Sequence, residues 1–301
     1  MKLIKSILFS AIATTLFSAC GNGNGKYDAT GTFEATEVIV SSEATGKLME
    51  FNVTEGDLLE QGAQVGYVDT VQLYLKRLQL QASTSAVRSR RQDVSKQIAA
   101  IKQQIATQQR EKERFENLVK NNAANQKQVD DINAQIAFLQ KQLAAQTSTL
   151  ENSNASVSGE SSALEIQIAQ LEDQLQKCHI ISPIKGTVLS KYAEKGELAT
   201  PGKALFKVAD IENMFLRAYV TSDQLSKMKI GQKVKVYADF GGDNVKEFPG
   251  TVSWISNKSE FTPKGILTKD ERANLVYAVK IAVKNNGDIK IGMYGEVSFT
   301  K

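Results

Sequence analysis

Between Gln72 and Cys178 the chain contains no proline and a single glycine, Gly159, so nothing there forbids a long run of helix. Apolar side chains recur on a three-four beat. The first arm runs through Val87, Val94, Ile98, Ile101 and Ile105; the second runs through Val129, Ile132, Ile136, Leu139 and Leu143. A repeat averaging about 3.5 residues keeps one apolar stripe on one side of a helix, and that stripe needs a partner. Asn121 and Asn122, near the midpoint, are the residues best suited to turn the chain. The spacing predicts an antiparallel coiled-coil hairpin over residues 72–178, with its tip near 121–125. Arms of about 50 residues would make a rod roughly 75 Å long. In the second arm, residues 152–162 hold Gly159 and five serines, and serine hydroxyls compete for backbone hydrogen bonds. A kink or a frayed segment is expected there, with a full break as the alternative.

What flanks the rod is a repeat. Residues 42–70 and 182–210 superpose without a gap: Ser42 falls on Ser182, Gly46 on Gly186, Leu48 on Val188, Gly56 on Gly196, Gly62 on Gly202, Val65 on Leu205 and Val68 on Val208. Matched glycines with matched apolar positions mark an internal duplication. Each copy alternates short apolar strands with glycine turns and is half of a small β unit. Two halves must pack together to bury a core, so the rod is an insertion between the halves of one domain, 38–71 and 179–210.

After residue 210 the signals are all β, at 215–219, 233–237, 248–255, 276–283 and 294–299, with one short helical turn at 222–229. Five strands and one short helix predict a β-barrel over 211–301, to which a lead-in strand at 30–37 could contribute. The fold class is α+β, elongated and multi-domain.

The first 19 residues read as a signal peptide: Lys2 and Lys5 precede an apolar run at 7–17 that is too short to span a bilayer. Ser18-Ala19-Cys20 resembles the bacterial lipobox, which would make Cys20 the acylated first residue of the mature chain and 20–30 a flexible tether. Several acyl chains hold a protein on a membrane where one does so only marginally. The alternative is a plain secretory signal with an incidental cysteine. Loss of Lys2 and Lys5 lowers the formal charge from +4 to +2, and basic residues are interspersed with acidic ones, so no nucleic-acid partner is expected. Cys178 reads as a buried structural thiol. The lone histidine, His179, pairs with nothing in a nucleophile or metal pattern. No catalytic residue, cofactor or metal is expected.

Split half-motifs, an inserted hairpin and a trailing barrel, with the SPIKG run at 182–186, the Glu260-Phe261-Thr262-Pro263 turn and Gly292-Met293 before the last strand, resemble the HlyD-type membrane fusion proteins, periplasmic adaptors of bacterial export systems. The stretch from Glu260 through Tyr277 looks closest to adaptors serving ABC-type exporters. The resemblance implies a passive connector between an inner-membrane transporter and a TolC-like outer-membrane channel. It also implies self-association, usually as a hexamer, and a lipid-anchored position in the periplasm of a Gram-negative cell. By the same resemblance the hairpin tip docks the channel through an Arg, a Leu four residues on and a Ser seven further. Arg114 and Leu118 fit, and Asn125 stands in the serine's place. Such families usually add a membrane-proximal domain, for which the stretch after Gly292-Met293 leaves little chain.

Two rivals come from other classes. Half-motifs of this kind also build lipoyl and biotinyl carriers, which present a lysine at the turn joining the halves. Here that turn, 68–71, holds none; Lys76 belongs to the helix and Lys185 precedes a strand turn in the second half. The other rival is a coiled-coil tether or scaffold with no part in transport.

Overall fold

A computed structural model of the chain describes residues 27–241, 244–260 and 275–299. The expected signal peptide, Cys20, the tether as far as Lys26, and Phe261–Pro263 of the expected turn lie outside the described residues.

The order of elements is β1 (Ala29–Ser41), β2 (Gly46–Phe51), β3 (Leu58–Leu59), β4 (Gln64–Val68), α1 (Val71–Arg88), α2 (Val94–Lys120), α3 (Gln126–Lys177), β5 (His179–Ile181), β6 (Gly186–Lys191), β7 (Leu198–Ala199), β8 (Ala204–Thr221), α4 (Ser222–Leu225), β9 (Lys233–Asp239), β10 (Val245–Glu260), β11 (Val276–Lys284) and β12 (Tyr294–Ser298). One sheet runs β1-β12-β9-β10-β11-β8-β6-β3, and β1 also pairs with β8. The circuit β1-β12-β9-β10-β11-β8 therefore closes on itself as a six-stranded barrel. The second sheet runs β5-β4-β2-β7.

Strand β8 is what joins the parts. Its first half pairs with β6 (Val188↔Val208) and its second with β11 (Leu216↔Ile281), so no break separates a sandwich domain from a barrel domain at 210–211. Strand β1 does the same from the other side: Thr30 and Gly31 oppose β12 and β8, while Val38 and Val40 oppose the start of β8. The sixth barrel strand is thus the lead-in segment. The barrel core is Phe33, Leu216, Val220, Val236, Ile281 and Val297. The sandwich core is Leu48, Phe51, Val68, Val188, Leu205 and Phe206, closed at its hairpin end by Cys178 and Ile180. Each such side chain removed from water contributes about 1.5–3 kcal/mol.

The duplication is structural as well as sequential. Gly56 and Gly196 stand at φ +94° and +96°, and Gly62 and Gly202 at +81° and +85°. Side chains rarely tolerate that region, so each copy needs glycine at the same two turns.

The rod departs from its expected form. Helix α3 is continuous over 52 residues, about 78 Å at 1.5 Å per residue, and passes through 152–162 without interruption. The break falls in the first arm, at 89–93. It arises because Val87 and Val94 are separated by six polar residues, leaving the arm nothing to bury there, and because Asp93 caps a fresh helix by accepting from Lys96 N at 3.3 Å. The polar stretch expected to fray is instead the platform that holds this break. Asn154 donates Nδ2 to Gln92 O at 2.8 Å and accepts Gln92 N at 2.9 Å. Arg90 pairs with Glu160 at 2.8 Å, and Arg88 reaches both Ser161 (3.1 Å) and Glu165 (2.5 Å). A serine-rich surface without bulky side chains leaves room for that contact. Beyond it, Ile98 and Ile105 pack towards the seam formed by Val129, Ile136, Leu139 and Leu150.

Candidate functional site at the hairpin tip

Helix α2 ends at Lys120, and its last carbonyls are taken up locally: Asn121 N donates to Leu118 O, Asn122 N to Val119 O, and Ala123 N to Leu118 O at 2.8 Å. Asn121 returns its side-chain Nδ2 to Asn117 O at 2.8 Å. Asn122 takes φ +54°, a left-handed conformation that asparagine tolerates better than other side chains. The chain is thereby turned at the pair of asparagines singled out in the sequence.

Arg114 and Leu118 lie one turn apart on α2 and so share a face. Arg114 is exposed, 3.4 Å from Glu111 and with its guanidinium 5.2 Å from the Phe115 ring centroid. Leu118 is also exposed. Asn125 stands across the turn as the N-cap of α3, where its Oδ1 accepts Lys127 N at 3.0 Å. A cation, an aliphatic side chain and an amide on a solvent-facing tip can dock another protein. They have no arrangement for making or breaking bonds.

Other singled-out residues fall into supporting places. Cys178 is fully buried and its Sγ donates to Gln174 O at 3.3 Å; burial, and next the charge of Asp69, pushes its thiol pKa up. His179 is exposed at the start of β5. Lys76 lies on α1, and Lys185 pairs with Glu60 at 3.1 Å. Among the described residues no group of His, Cys, Asp and Glu is placed to hold a metal, and no helix is long and apolar enough to cross a membrane. The clasp around Asn154 escaped a reading by periodicity; the signal for it was the apolar gap between Val87 and Val94.

Residues 36–211 match the family model described as "RND MFP, barrel-sandwich hybrid domain". A "UPF0194 membrane protein" of Citrobacter koseri is 26% identical over 291 residues, covering 90% of this chain and 87% of its own length. A "UPF0194 membrane protein YbhG" of Salmonella arizonae is 26% identical over 290 residues, covering 89% and 87%. Among solved structures, MacA from Actinobacillus actinomycetemcomitans superposes with a TM-score of 0.52 at 19% identity, over 89% of this chain and 76% of that one. A MacA-MexA chimera carrying the Pseudomonas aeruginosa MexA α-hairpin superposes at 0.53 and 20% identity, over 91% and 81%. These likenesses show the elongated fold of sheet domains and a long helical hairpin. The chain belongs to the membrane fusion proteins, the non-enzymatic periplasmic adaptors of efflux systems, and 36–211 is its barrel-sandwich hybrid domain.

Proposed function

We propose that this chain links an inner-membrane transporter of the ABC type to a TolC-like outer-membrane channel, as one of several copies, six by family habit, held to the periplasmic face of the inner membrane through an acylated Cys20. The observation that carries this reading is the geometry of the hairpin. Both of its arms are rooted in one sandwich, β4 leading into α1 and α3 into β5, while the tip stands about 78 Å away along α3. An enzyme has no use for such a spacer; a connector does. At the far end Arg114, Leu118 and Asn125 offer the docking chemistry.

The test is the double variant Arg114→Asp/Leu118→Asp in cells. Channel association is expected to be lost while membrane anchoring and self-association persist; undiminished association removes the tip from the reading. Crosslinking of the wild-type protein in cells should recover a permease. If no permease is recovered and deletion leaves every efflux substrate tolerated, the chain is a scaffold instead.

A further inference from the structure

The duplication that built the sandwich also gave it two matching borders. Strands β3 and β7 are only two residues long and are the outermost strands of their sheets. They lie at opposite ends of the sandwich. The turn after β3 bonds to the end of β5, through Gly62 N to Ser182 O and Ser182 N to Ala63 O. Strand β5 forms the border of the second sheet opposite β7, in the order β5-β4-β2-β7. Each border carries an exposed leucine at the same place in the repeat, Leu58 at 59% and Leu198 at 63% of full exposure.

The charges around these leucines are opposite. Beside Leu58 stand Glu55, Asp57 and Glu60, with the cations Lys185 and Lys191, the latter held by Glu194 at 2.6 Å. Beside Leu198 stand Lys47, Lys195 and Lys203, with Glu197; Glu43 and Asp69 line a cavity with Lys47 and, among the described residues, form no ion pair with it. Lys185 is taken by Glu60 at 3.1 Å and Glu197 by Lys203 at 2.8 Å, which leaves Glu55 and Asp57 on one border, and Lys47 and Lys195 on the other, without an ion pair among the described residues. Glu55 and Asp57 accept only the backbone amides of Lys191 and Thr54. A cavity of about 420 Å³ opens beside Leu58, and Asp210 and Glu212 on its wall add to the negative side. Position for position, Glu55 of the first copy is Lys195 of the second, so the duplicated halves have diverged in sign where they face outward.

We propose that the β3 border of one copy of this chain docks on the β7 border of the next, Leu58 against Leu198, with Glu55 and Asp57 facing Lys47 and Lys195. Two different borders at opposite ends make the contact heterologous, and a heterologous contact propagates into a ring or an open chain and not into a closed pair. The inference rests on the self-association included in the proposed function and gives it a surface. Its electrostatics set register and direction, since like borders repel.

The experiment uses the full-length lipidated chain in its membrane and a short bismaleimide; Cys178 is buried and does not compete. The double variant Leu58→Cys/Leu198→Cys is expected to give a covalent ladder of copies, and each single variant no product. Glu55→Lys/Asp57→Lys, or Lys47→Glu/Lys195→Glu, placed on that background should remove the ladder, and the two pairs combined should restore it, which excludes misfolding as the cause of loss. Dimers from either single-cysteine variant, or loss without restoration, overturn the proposal. If native mass measurement finds oligomers and the ladder is absent, the surface falls and self-association stands; if it finds monomers, both fall.

Discussion

Ser42 and Ser182 occupy the same place in the two halves of the sandwich and donate the same side-chain bond, while Ser42 Oγ also accepts Ala44 N at 3.3 Å. Ser42 Oγ donates to Ala44 O at 2.8 Å and Ser182 Oγ to Ile184 O at 2.7 Å. Their backbones pair alike, Ser42 with Gly202 and Lys203, Ser182 with Gly62 and Ala63. Both are buried, so removing either hydroxyl leaves a carbonyl without its partner. Ser42→Ala and Ser182→Ala should each cost about 1–3 kcal/mol. Being at opposite ends, the two losses should add. Urea denaturation of the single and double variants checks this, and a single variant as stable as the wild type would contradict it.

This equivalence was legible in the sequence because a glycine at positive φ has no substitute and a sandwich core admits only alternating apolar residues. The tip was legible at Asn121-Asn122 for a similar reason. The hidden features depend on contacts distant in sequence. Nothing local to 204–221 shows that β8 crosses from sandwich to barrel, since both environments demand the same alternation. Residues 152–162 read as a weak helix until their partner is seen: Asn154 lies 62 residues from Gln92, and a serine-rich helix face is stable when another backbone lies on it. Asn125 was legible as a tip residue, but its capping bond became visible only with the turn closed.

The clasp at the break predicts a bend. In Asn154→Ala, Gln92 loses both of its bonds to that side chain, and the distance between spin labels at the exposed positions 81 and 109, on either side of the break, should broaden in double electron–electron resonance. An unchanged narrow distribution would mean the seam alone fixes the arm.

The same clasp should respond to acid. The Ser161 hydroxyl, and next the Arg88 guanidinium, hold Glu165 below the usual carboxylate range. A lowered folded-state pKa gives a contribution that is present above the unfolded value and is lost as pH falls through the folded one. The label distance should therefore be constant from neutral pH down to about 4 and broaden below it. Glu165→Gln should weaken the acid response and leave the part due to the Asp93 cap, whose carboxyl Ser95 and next Lys96 also hold below its usual range.

Gly31 lies where β1 runs close against β8. A Cβ there would meet Arg217 O at 2.0 Å and Ala218 Cα at 2.6 Å, backbone atoms of β8 that cannot turn aside. Gly31→Val should therefore separate β1 from β8 and lower stability by more than about 2 kcal/mol. Thermal unfolding measures the loss, and a variant that melts like the wild type would place β1 elsewhere.

Asn125 carries two roles that a choice of substitutions separates. Alanine removes the N-cap and should cost helix α3 about 1 kcal/mol, whereas serine and aspartate cap as well as asparagine. Stability of the hairpin should thus fall only in Asn125→Ala. Docking follows a different order if the side chain also meets the channel: serine keeps a hydroxyl that can donate and accept, whereas aspartate accepts only and adds a charge. Channel pull-down should then hold in Asn125→Ser and fall in Asn125→Asp, though both fold equally well. Equal pull-down by the two would confine Asn125 to its cap and leave docking to Arg114 and Leu118.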